Sequence, residues 1–145
     1  MTEHLIALFK RDLEKLITEL EAYSDENKLW VLAGEVKNPA GNLVLHVHGN
    51  LNMFIGKILG KLEFARDRES EFLRSDLTRA ELIAMVAATS AMLEKVLPTL
   101  SEVDLAANYP LEVLGYPMTT GYFLIHLYGH LNWHLGQVNY HRRLV

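Results

Sequence analysis

A chain of 145 residues has the size of one ordinary domain, and with half of its residues hydrophobic and 22% charged it can build a real core. A formal net charge of -4 argues against a nucleic-acid surface, which needs clustered Lys and Arg; the one basic pair, Arg142–Arg143, sits where it would complement a helix end. There is no cysteine, which excludes disulfides, cysteine nucleophiles and thiolate metal sites.

The N-terminal stretch MTEHLIALFKRDLEKL is charged and amphipathic, without a signal-peptide pattern. No segment approaches the roughly 18–20 apolar residues of a membrane span, so a soluble cytoplasmic protein is expected. Leu5, Ile6, Phe9, Leu13, Leu16, Ile17 and Leu20 recur with the helical period, which predicts a first helix from about Thr2 to Ala22. Ser24-Asp-Glu-Asn27 followed by Leu29-Trp30 predicts a cap and a short helical turn, with Trp30 placed over one end of the core.

Asn38-Pro39 is a helix-start signal, Asn38 as cap and Pro39 at the first helical position. The second helix should run to about Lys61. It is apolar nearly all round, so it is expected to be deeply buried or to meet a second subunit. His46, His48 and Asn50 lie within it. Residues 64–77 form a charged connection. Thr78 and Glu81 then make a capping box, with Leu77 and Leu82 at the staple positions, and Pro98 ends a third helix near Leu97. Residues 101–118, with Pro110, Gly115 and Pro117, read as irregular. Thr119 or Thr120 caps a last helix that runs to Leu144. No run alternates as a strand would, and four helices with two long connections read as an all-α bundle occupying residues 1–145 as one domain.

The last helix carries His126, His130 and His134 at steps of four, and His141 beyond them. Steps of four place side chains on one stripe. Imidazoles in an otherwise apolar helix are costly unless their nitrogens find partners, and a divalent metal suits two histidines one turn apart. His130 and His134 are the expected pair. A third ligand must come from the second helix, where His46 and His48 are about 200° apart around the axis, so only one of them can face the last helix. Periodicity leaves that choice open. Two ligands on one helix and one on a neighbour leave a coordination position free, the layout of a catalytic site. His126 could be a ligand, a supporting group or a residue at the site mouth; His4 should be solvated and His141 uninvolved. Asn50 either bonds a core carbonyl or orients a ligand. Glu-x-x-His, His-Glu-x-x-His, glycine-rich phosphate loops and a serine nucleophile elbow are all missing.

The segment HLNWHLGQVNYHRRL, residues 130–144, resembles the C-terminal helix of the DinB-like superfamily, whose mark is His-x-x-x-His-x-Gly-Gln: His130, His134, Gly136 and Gln137 match it. NPAGNLVLHVHGNLNMFIG, residues 38–56, resembles the second helix of an uncharacterised DinB-like subgroup with a His-Leu-x-Gly-Asn-Leu pattern, matched by His46, Gly49, Asn50 and Leu51; residues 66–72 resemble that subgroup too. The resemblance implies a four-helix bundle of up-down-down-up order and one divalent metal, zinc or nickel, held by His46, His130 and His134. It also implies a homodimer. Characterised relatives include transferases and isomerases that use a low-molecular-weight thiol, and others are described as metal-dependent hydrolases.

Three functions follow as expectations. The first is a transferase in which the metal activates a small thiol as thiolate. The second is a hydrolase using metal-activated water, for which His126 or His48 would have to move the proton, since neither the second nor the last helix contains Asp or Glu. The third is a non-enzymatic, metal-stabilised bundle or sensor acting through a partner, with His48 or His126 as fourth ligand.

Overall fold

The computed structural model describes residues 1–145 as an all-helical molecule. Four long helices make the bundle: α1 (Thr2–Glu21), α2 (Ala40–Leu51), α4 (Arg79–Val96) and α6 (Thr120–Leu144). Two short helices, α3 (Arg68–Leu73) and α5 (Glu102–Ala106), lie in the long connections. No helix is long and apolar enough to cross a membrane.

Pairwise contacts give the directions. Along α1 and α6 partners advance together: Tyr128 meets Asp12, Arg142 meets Glu19 and His141 meets Tyr23. These two helices are therefore parallel. Lys10 pairs with Glu94 while Arg79 reaches the Tyr23 carbonyl, so α4 runs against α1. His46 meets His130 while Phe54 meets Phe123, so α2 runs against α6. The order is up-down-down-up, as the resemblance implied. Parallel α2 and α4 need a crossover, and residues 61–77 supply it.

Helix starts follow local chemistry. Thr78 Oγ1 accepts from the Glu81 N–H while the Thr78 N–H donates to Glu81 Oε2 at 2.7 Å, the expected capping box. Leu82 behind it is fully buried. Thr119 caps α6 by accepting from the Tyr122 N–H. Asp25 caps the short 3-10 turn Glu26–Trp30. The start of α2 differs by one residue from expectation. Pro39 is still extended (φ -70°, ψ 164°) and is the cap residue, its carbonyl accepting from the Leu43 N–H. Asn38 is thus one residue too early to reach the first-turn amides.

Helix α2 is buried along its length except at His48. It continues through a wider π-type turn, Asn52–Lys57, and ends at Lys61 in the left-handed region (φ 55°). Phe9, Leu13, Leu16, Leu20, Leu29, Leu51, Ile55, Leu82, Leu93, Phe123 and Leu124 fill one continuous core. Helices α3 and α5 depart from the sequence expectation of plain connections. Their starts are capped by Asp67 and by a second capping box, Ser101–Asp104. Each is so short that it carries no helical period of hydrophobic residues.

Candidate metal centre

Helix α2 turns one stripe, Asn42, His46 and Gly49, toward α3. The Asn42 side-chain amide donates to the carbonyls of Glu71 and Arg74, pinning the end of α3 to α2. A Cβ at residue 49 would overlap the Glu71 carboxylate, so only glycine lets that carboxylate approach α2. Glu71 is buried and lies between two donors. Arg66 gives it a bidentate contact, Nε to Oε2 at 2.8 Å and Nη2 to Oε1 at 2.9 Å, and His46 Nδ1–H donates to Oε1 at 3.1 Å. The ring of Phe72 rests against that of His46.

The other side of the His46 ring faces α6. His46 Nε2 and His134 Nε2 are each 3.1 Å from His130 Nε2, and the three nitrogens all lie within 4.8 Å of one another. His134 is oriented from behind in the same manner as His46, its Nδ1–H donating to Gln137 Oε1 at 2.7 Å. With Nδ1 protonated in both rings, His46 and His134 present bare Nε2 lone pairs to the common point. His130 can place at most one proton between them. Lone pairs packed this closely repel unless a cation shares them. Zinc–nitrogen bonds of about 2.0–2.1 Å at tetrahedral angles separate ligand nitrogens by roughly 3.3 Å, close to what is seen. The donor set therefore fits a divalent ion, and the supporting carboxylate and amide match the partners that fix metal-bound histidines.

Burial favours the neutral, metal-ready form. The His130 pKa is pushed down to about 3, by burial first and then by His134 and His46. His134 is lowered by burial. His46 is also lowered by burial, although Glu71 pulls the other way.

The remaining histidines lie elsewhere. His48 is on the far side of α2. Thr89 Oγ1 donates to the Met85 carbonyl, so His48 Nδ1–H donates to that hydroxyl, at 2.8 Å. His126 is exposed at the edge of the centre, stacked on Phe123, its ring 6.4 Å from that of His130. His4 is exposed. His141 stands outside the cluster but is a buried clip: Nε2–H donates to the Val31 carbonyl and Nδ1 accepts from the Tyr23 hydroxyl, both at 2.7 Å. Asn50 makes no hydrogen bond to a core carbonyl, and its Oδ1 is buried without a partner. Glu71 and Arg66 have no role legible in the sequence because they lie in a run of charged residues that looks solvated; the resemblance of residues 66–72 to the subgroup and the glycine at 49 were the available signals.

A cavity of about 420 Å³ is lined by Glu35, Lys37, Leu43, Gln137 and Tyr140 among others, and by none of the three clustered imidazoles. Gln137 thus has one face on the cavity and its oxygen on His134.

A family model described as the DinB superfamily matches residues 8–138. The fold is also that of the crystal structure of a conserved protein from Enterococcus faecalis, with a TM-score of 0.82 over 100% of this chain and 96% of that one. At 17% identity this likeness concerns the fold alone. No curated protein matches the chain.

Proposed function

Because the chain belongs to the DinB superfamily, we propose that its three-imidazole centre holds one divalent metal ion, zinc or nickel, and that the protein is a metal-dependent enzyme acting on a low-molecular-weight thiol. The observation that carries this reading is the convergence of three Nε2 atoms, two of them fixed as lone pairs by Glu71 and Gln137. When bound, such an ion would stabilise an incoming thiol as the nucleophilic thiolate, a group the chain cannot supply because it has no cysteine. His46, His130 and His134 hold the ion; Glu71 and Gln137 keep two of the rings in register. The cavity behind Gln137 offers room for the part of the substrate that does not react.

Thiol transfer is placed ahead of hydrolysis because hydrolysis needs a proton carrier at the centre: of the two histidine candidates His48 is turned to Thr89, which leaves only His126, its ring 6.4 Å from that of His130. Glu71, the carboxylate within this network, is engaged by Arg66 and His46. A structural role without catalysis is disfavoured because three protein ligands converge where a closed site needs four. His48, one of the two candidates for the fourth, is turned toward Thr89.

The test has two parts. Protein purified without a metal-binding tag should contain about one divalent ion per chain by elemental analysis, and H130A should contain almost none. Isothermal titration should then show binding of a cellular thiol to the loaded wild type. Wild-type protein that never takes up an ion would defeat the metal reading; an ion that binds while every common thiol fails would defeat the choice of substrate.

A homodimer is the accompanying proposal, and α6 supports it. Tyr122, Ile125, Trp133, Tyr140 and Leu144 are exposed on one narrow stripe of that helix, with Gly129 and Gly136 between them. Stripes of this kind mark association surfaces.

A further inference from the structure

We propose that Asn50 positions the exogenous ligand of the three-imidazole centre, its carboxamide oxygen accepting a hydrogen bond from an O–H or N–H of that ligand. The proposal rests on the metal reading above and adds a residue to it.

Asn50 follows His46 by one turn and lies on the same face of α2. That face meets α6 at two points. His46 touches His130, and two turns further on Phe54 packs edge-on against Phe123 at 5.4 Å between ring centroids. Asn50 falls between them, at the level of His126, whose ring stacks on Phe123 at 5.8 Å with the planes 8° apart. It therefore sits one helical turn from His46, between the imidazole cluster and the Phe54–Phe123 contact.

Its polarity has no structural use. Asn50 is 7% exposed, and its Oδ1 is one of only two buried side-chain polar atoms without a partner. The other, Arg79 Nε, belongs to a guanidinium whose two terminal nitrogens both donate to carbonyls. The surrounding helix is Leu43, Val44, Leu45, Val47 and Leu51, and a leucine at 50 would suit that setting better than an unpaired amide oxygen. An acceptor kept there despite the cost fits a ligand that brings a hydrogen. Water brings an O–H. A thiolate sulfur has no hydrogen to give, so a thiol substrate would reach Asn50 through an amine or amide N–H elsewhere in the molecule.

The experiment uses full-length protein loaded with cobalt(II), as wild type, N50L and N50D, with metal content measured for each. The first arm follows the visible cobalt bands with pH. If the donor is water, N50L should lower the pH midpoint of the spectral change, because the protonated form loses its acceptor, and N50D should raise it by about one unit or more, because a carboxylate holds the proton. The second arm titrates cysteamine and ethanethiol. If the donor is a substrate N–H, N50L should weaken cysteamine by up to about tenfold and leave ethanethiol unchanged. Cobalt uptake with neither the midpoint nor the cysteamine preference altered in N50L overturns the role of Asn50 and leaves the metal centre standing. Failure of the wild type to take up cobalt overturns both. N50L is expected to fold as stably as the wild type, so the conclusion does not depend on N50D.

Discussion

His126, His130 and His134 are spaced four residues apart, and each step of four carries a side chain about 40° further round the helix. Only neighbours on the stripe can share a point: His130 and His134 do, while His126 trails toward solvent. The geometry of steps was legible in the sequence; which of the two ends would turn outward was not, because that depends on where α2 lies. Glu71 is the clearest case of a hidden residue. The run before it, Asp67, Arg68 and Glu69, is charged and exposed, yet Glu71 is buried between Arg66 and His46. Removing only its charge, in E71Q, should weaken metal binding about 10–100-fold, read by competition with a chelator. It should also lower the melting temperature, because the half-buried Arg66 loses its counter-charge. A pH effect belongs to the same residues. His130 titrates near 3 in the folded metal-free protein but near 6.5 when unfolded, so below about 6.5 the unfolded chain binds a proton that the folded one refuses. Metal-free protein should therefore lose stability as pH falls from about 6.5 toward 3, with the denaturant midpoint lower at pH 5 than at pH 7.5. H130A should flatten that dependence.

Helices with a one-sided or capped sequence could be placed without tertiary information. The start of α4 is an example: Thr78 and Glu81 satisfy each other's backbone groups. T78A should cost about 1 kcal/mol, a fall of roughly 3–5 °C in melting temperature, and leave metal affinity unchanged, since α4 supplies no ligand. Helix α3 is the opposite case. Its six residues gain their position from Asn42, Gly49 and His46 on α2, so it exists as part of a packing arrangement and not as an independent periodic segment. G49A should force the Glu71 carboxylate off α2. Expected consequences are a loss of about 1–3 kcal/mol and a weaker metal site, both together, measured by denaturation and chelator competition.

At the scale of the whole molecule, the parallel pair α1 and α6 is held by polar clips along its length. Asp12 is buried against Arg11, Lys15 and Tyr128, which hold its carboxyl well below the usual range; Glu19 accepts from Arg142, and Tyr23 bonds His141. The outer stripe of α6 is then left exposed, and it is there that the proposed second copy would dock. Sedimentation should find a dimer in the wild type and a monomer in W133E, whose exposed position in the single chain predicts little loss of folding stability. The sequence alone determined the helical class, the four bundle helices, the caps of α4 and α6 and the two histidines one turn apart, because each depends on residues close in the chain. His46 came from a family pattern and not from periodicity, since α2 is apolar on every face. Only the tertiary structure decided that Glu71 and Gln137 lock two rings with their lone pairs inward, that His48 turns to α4, and that Asn50 keeps a buried, unpartnered oxygen one turn from His46. Those outcomes depend on which helix face meets which neighbour, and on the crossover at residues 61–77, which carries Arg66 and Glu71 inward while its other charges stay exposed.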